Sequence, residues 1–110
     1  MMGIIKVAET SELTSGQKKK VTVEGKDILL VNVGDTYYAL SDKCPHMGGS
    51  LSEGILDGTT ITCPRHGAKF DIKTGDCIGE AKIAFLKIKV KENRKFDVRV
   101  EGSDVLVDVS

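Results

Sequence analysis

Cys44-Pro45-His46-Met47-Gly48 and Cys63-Pro64-Arg65-His66-Gly67 are two versions of one short phrase. Each opens on Cys-Pro, places a histidine one or two residues after the proline, and closes on glycine. Sixteen residues, 47–62, lie between His46 and Cys63. Two loops of this kind, facing each other, offer two sulfur and two nitrogen ligands. Proline stiffens each loop and removes a donor, and glycine permits turns that aim backbone N–H groups at an anionic centre. All three cysteines, both histidines and both prolines of the chain fall between Ser41 and Lys82, among Gly48, Gly49, Gly54, Gly58, Gly67, Gly75 and Gly79.

Outward from these loops the pattern changes. Val21 and Val23 alternate with polar neighbours, Glu24-Gly25-Lys26-Asp27 reads as a hairpin turn, and Ile28 to Val33 follows as a strand. Gly34-Asp35 marks the next turn and Thr36 to Leu40 the next strand. Beyond the loops, Leu86, Ile88 and Val90 alternate with Lys87, Lys89 and Lys91, then Phe96, Val98 and Val100 with Asp97, Arg99 and Glu101. After the turn Glu101-Gly102-Ser103-Asp104, Val105, Val107 and Val109 repeat the pattern. A period of two gathers the apolar side chains on one strand face. Helical periodicity is missing from every window of 11 or more residues, and only Thr10 to Ser15 and Ser50 to Gly54 read as single helical turns. The expected fold is all-β, an antiparallel sandwich or small barrel. Residues 1–110 form one domain in this reading. Its base sheet comes from about 1–40 and 83–110, and a loop-rich insertion, about 41–82, stands on it.

The 110 residues carry 16 Lys+Arg against 16 Asp+Glu, a formal balance of zero. Such a chain has no global attraction to nucleic acid or to an acidic membrane, so neither is expected as a partner. No apolar run approaches the roughly 20 residues that span a bilayer. Met1 to Lys6 lacks the basic and long apolar regions of a signal peptide. Three cysteines, an odd number, argue against a disulfide framework. The expectation is a cytoplasmic protein.

Zinc takes cysteine and histidine, but its usual spacings pair like with like. Here each loop mixes the two, Cys-x-His in one and Cys-x-x-His in the other. That arrangement suits a [2Fe–2S] cluster with cysteines on one iron and histidines on the other, the Rieske pattern.

The chain resembles a small Rieske-type ferredoxin over essentially its full length. Besides the ligand loops, the resemblance rests on Ala39-Leu40-Ser41-Asp42-Lys43, Leu51-Ser52-Glu53-Gly54 and Phe70-Asp71-Ile72-Lys73-Thr74-Gly75. These are similar to the soluble carriers of bacterial ring-hydroxylating oxygenases. The resemblance implies one cluster, with Cys44 and Cys63 on the inner iron and His46 and His66 on the outer, more exposed iron.

Two imidazoles in place of two thiolates remove two negative charges, so an added electron is easier to hold. Rieske centres accordingly lie at about −150 to +300 mV, against about −400 mV for all-cysteine plant-type ferredoxins. High-potential respiratory members carry a further cysteine in each loop, joined as a disulfide; Gly49 and Arg65 stand at those positions here. They also carry a serine and a tyrosine whose hydroxyls bond sulfur, where this chain has Ala68 and Phe70. Fewer hydrogen bonds to sulfur stabilise the reduced state less, and the expected midpoint is near about −150 mV.

The remaining residues read more plainly. Cys77 is expected as a small buried hydrophobe, because the four-ligand set is complete without it. Met47 reads as a cover over the site, and Arg65 as a residue facing solvent or an acidic partner. The lysines at 87, 89 and 91, and the run Lys18-Lys19-Lys20, read as solvated strand faces. Cys77-Ile78-Gly79-Glu80-Ala81-Lys82 departs from the family in having no proline, and Glu80 and Lys82 alter the surface there.

A complete cluster site without substrate apparatus implies a one-electron carrier rather than an enzyme. Its donor would be a flavin or iron–sulfur reductase, and its acceptor a terminal oxygenase or other oxidoreductase. The alternative is the small subunit of an assimilatory nitrite reductase, which shares the fold, although many members of that group lack the ligands. A terminal oxygenase needs a separate iron held by two histidines and a carboxylate, and both histidines are already assigned. A zinc-stapled binding module would be silent in visible and electron paramagnetic resonance spectra.

Overall fold

A computed structural model describes residues 3–43, 50–64, 68–79, 81–83, 86–88 and 95–109. In chain order the strands are β1 (Ile4–Glu9), β2 (Lys18–Val23), β3 (Lys26–Val33), β4 (Thr36–Ser41), β5 (Ile55–Asp57), β6 (Thr60–Thr62), β7 (Lys69–Asp71), β8 (Cys77–Gly79), β9 (Ala81–Ile83), β10 (Leu86–Ile88), β11 (Lys95–Glu101) and β12 (Asp104–Asp108). The described helices are two single 3₁₀ turns, Thr10–Glu12 and Leu51–Glu53, within the stretches where the sequence allowed helical turns. Neither is long and apolar enough to cross a membrane.

Six strands form one antiparallel sheet in the order β1-β12-β11-β4-β3-β2. Its edge strands β1 and β2 approach each other, so the sheet nearly closes into a barrel. The turns that fold it are legible in the chain. Glu24-Gly25 and Gly34-Asp35 all take positive φ (50°, 78°, 59° and 66°), the two-residue hairpin geometry that matches the twist of the flanking strands. A second antiparallel sheet runs β5-β6-β7-β8, and β9 pairs with β10 in a separate two-stranded ladder. The strand begun at Leu86 therefore pairs with Ala81–Ile83 among the described residues.

Two hydrophobic cores share one wall. Inside the barrel lie Ile28, Leu30, Ala39, Phe96, Val105 and Val107. On the outside, Leu29, Val31 and Leu40 pack against Leu51, Ile61, Cys63, Ala68, Phe70 and Ile72 from the four-stranded sheet and its connections. The register explains the division: Leu29 faces Leu40 across the ladder and Leu30 faces Ala39, so each cross-strand pair points to one core. β3 is consequently buried on both faces from Ile28 to Asn32. Each fully buried Leu or Ile contributes about 1.5–3 kcal/mol relative to exposure.

The amino-terminal turn is held onto the barrel by polar contacts. Asn32 Nδ2 donates to the Leu13 carbonyl (2.8 Å), and the Tyr37 hydroxyl donates to the carbonyls of Thr10 (3.1 Å) and Leu13 (3.0 Å). Glu12 accepts from Lys19 Nζ (2.9 Å) and from the Glu9 N–H (2.7 Å), and these two bonds hold its carboxyl below the usual range.

Candidate metal centre

The residues that flank the two Cys-Pro segments are held together in pairs. β4 ends at Ser41, and two residues later Lys43 bridges Ser50 in antiparallel fashion, so the segment 44–49 is pinched at its base. The second loop is the connection between β6 and β7. There the Cys63 N–H donates to the Ala68 carbonyl at 2.7 Å, which ties the two ends of that connection together. Each Cys-Pro segment thus has its two ends held together by backbone pairing.

Cys63 is the one expected ligand that falls among the described residues. It is 1% exposed and sits at the rim of the outer core beside Ala68 and Phe70. Both neighbours are fully buried, and neither has a hydroxyl to offer a sulfur atom. Cys44, His46 and His66 lie outside the described residues, as do Met47, Gly49, Arg65 and Glu80. Cys77 opens β8 and its backbone pairs with Phe70 of β7, while the burial expected of its side chain lies outside what is described.

The feet of the loops are tied to each other. After the first loop, the turn Leu51–Glu53 buries Leu51 completely in the outer core. Gly54 follows, against the backbone of Thr62, the residue before Cys63. Lys18 Nζ donates to the Ser52 carbonyl, fastening that turn to β2 of the barrel. Lys18 therefore departs from the solvated face expected for the lysine run: it is half-buried and ties the two layers together. Lys19 pairs with Glu12 and Lys20 with Asp27 (3.7 Å), at exposed positions. In the carboxy-terminal lysine row, Lys87 lies in β10, opposite Lys82, whereas Lys89 and Lys91 are outside the described residues.

The sequence reading assigned no role to Asp42, Ser50 or Ser52, which form a hydrogen-bonded set around the foot of the first loop. Ser52 N–H donates to Asp42 Oδ1 at 2.7 Å, and the Ser50 hydroxyl donates to Asp42 Oδ2 at 2.5 Å. Their only signal in the chain is an acidic residue between the end of β4 and the first Cys-Pro phrase.

A buried thiol at Cys63, and a second Cys-Pro phrase whose flanking residues Lys43 and Ser50 pair, fit a cluster that takes soft sulfur ligands from one pair and imidazoles from the other. Comparison with known proteins points the same way. The family model for the Rieske [2Fe–2S] domain matches residues 3–89. The ferredoxin component of the naphthalene 1,2-dioxygenase system of Pseudomonas aeruginosa is 35% identical over 99 residues, spanning 90% of this chain and 88% of that protein. The ferredoxin of carbazole 1,9a-dioxygenase from Nocardioides aromaticivorans IC177 superposes with a TM-score of 0.83 at 29% identity, over 97% of this chain and 98% of that one. A ferredoxin solved in complex with the oxygenase of carbazole 1,9a-dioxygenase gives 0.81 at 32% identity, over 98% and 94% of the two chains. The chain belongs to the Rieske [2Fe–2S] domain family, whose cluster takes two cysteine and two histidine ligands.

Proposed function

We propose that this protein is a one-electron carrier in which Cys44 and Cys63 hold one iron, and His46 and His66 the other. In this reading it passes electrons in the cytoplasm from a flavin or iron–sulfur reductase to a terminal oxygenase or a comparable oxidoreductase. The observation that carries the proposal is Cys63, buried in the outer core with Ala68 and Phe70 and bonded through its N–H to the Ala68 carbonyl. Support comes from relatives that are ferredoxin components of dioxygenase systems, one of them solved together with its oxygenase.

When bound, the cluster supplies a centre that accepts and returns one electron within about −150 to +300 mV. The chain's own residues hold that centre at the end of a rigid mount. Cys63 is anchored by its backbone bond to Ala68, and the surrounding side chains exclude water on the inner side. The nitrite reductase alternative finds no support among these relatives.

The test is the reduced protein's electron paramagnetic resonance spectrum together with iron and acid-labile sulfide content. Two iron and two sulfide per chain are expected. Replacing Cys44, His46, Cys63 or His66 singly with alanine should abolish the signal, and Cys77→Ser should retain it. A colourless protein that binds one zinc overturns the assignment.

A further inference from the structure

Asp42 is a buried carboxylate outside the ligand set, 2% exposed, two residues before Cys44. All of its polar groups are engaged. Its N–H donates to the Asp27 carbonyl (3.0 Å) and its carbonyl accepts from the Leu51 N–H (2.7 Å). Its side chain accepts from the Ser52 N–H (2.7 Å) and from the Ser50 hydroxyl (2.5 Å), and the two serine hydroxyls lie 2.8 Å apart. Three of these four bonds reach residues 50–52, on the far side of the loop 44–49. Taking a carboxylate out of water is unfavourable unless charge-assisted hydrogen bonds replace the lost solvation. A buried charge that served only to fill space could give way to an apolar residue with little loss.

We propose that Asp42 is a positioning residue for the first ligand loop. Its carboxylate clamps residues 50–52 to the end of β4 and thereby fixes the separation of the loop ends that carry Cys44 and His46. The inference rests on the ligand assignment above.

Two substitutions separate position from charge. In Asp42→Asn the amide oxygen accepts from the Ser52 N–H, and the amide nitrogen donates to the Ser50 oxygen, whose hydroxyl turns to Ser52. The clamp survives and the charge is gone. In Asp42→Ala both are gone. The measurement is the rate at which a chelator bleaches the visible absorbance of the holoprotein. It is read beside the resonance g-values of the reduced form and the far-ultraviolet circular dichroism. Asp42→Ala should bleach about tenfold faster or more, with shifted g-values and an unchanged strand spectrum, while Asp42→Asn stays within about twofold of the parent. Equal behaviour of the two variants, or an Asp42→Ala protein that bleaches like the parent, overturns the clamp. If Asp42→Ala does not fold, Ser50→Ala decides: it removes the hydroxyl that bonds the carboxylate and Ser52 and should bleach faster, and parental behaviour overturns the proposal. A parent protein without a [2Fe–2S] signal defeats the ligand assignment instead, so the two failures are distinct.

Discussion

A β-carbon placed on Gly54 would stand 1.9 Å from the carbonyl oxygen of Thr62. No side chain fits in that gap, because the obstacle is backbone and cannot rotate away. The contact joins the turn Leu51–Glu53, after the first Cys-Pro segment, to the end of β6, the residue before Cys63. Gly54→Ala must therefore push the two loop feet apart. We expect it to destabilise the holoprotein by at least about 2 kcal/mol and to reduce cluster content. Urea denaturation followed by visible absorbance measures both, and an unchanged midpoint would mean that the two segments separate freely.

Leu29 and Leu30 are adjacent in sequence and face different cores. Leu29→Ala and Leu30→Ala should each lower stability by about 2–5 kcal/mol. Only Leu29→Ala opens a void beneath the cluster-bearing sheet, so it alone should accelerate cluster loss in buffer. Equal rates for the two variants would contradict the division of the cores.

Ala68 and Phe70, which share the outer core with Cys63, carry no hydroxyl, and the midpoint should lie near about −150 mV. The double substitution Ala68→Ser with Phe70→Tyr adds two donors in fully buried positions. A buried hydroxyl without a partner is destabilising by about 1–3 kcal/mol, so each new group is driven toward the sulfur atoms. The midpoint should rise by something on the order of tens of millivolts, as measured by a redox titration. A parent midpoint well above zero at pH 7 would defeat the premise.

Removal of iron should leave the barrel standing. The ladders joining β2, β3 and β4, and the core around Leu30 and Phe96, contain none of the four ligand residues. The iron-free protein should keep its strand spectrum and melt at a lower temperature, since a group bound only by the folded state stabilises it. Amide hydrogen exchange should show protection lost in β6 and β7 and kept in β3. Uniform loss across the chain would contradict two separable layers.

The ligand phrases were readable because cluster chemistry dictates residue type and order, and the hairpins at Glu24-Gly25 and Gly34-Asp35 because positive φ demands particular residues. β1 escaped notice because a bulge between Lys6 and Ala8 interrupts the period of two. The strands β5 to β8 have three residues each, too few to display a period. The double burial of β3 had a trace, the unbroken run Ile28-Leu29-Leu30-Val31, which alternation alone does not explain. Asp42 and the half-buried Lys18 could not be found from spacing. What places a charged side chain inside is the set of partners that tertiary folding brings to it, here Ser50, Ser52 and a carbonyl 34 residues away.

The common wall of β3 and β4 also limits how this protein can be dismantled. A peptide covering residues 41–82 contains both ligand phrases but would leave behind Leu29, Val31 and Leu40, which form one side of the core beneath them. Transplanted onto another scaffold, that segment would arrive with half its interior exposed to water. A graft that keeps the redox centre must carry the 26–41 hairpin with it, so the smallest transferable unit is a sheet pair and not a loop pair.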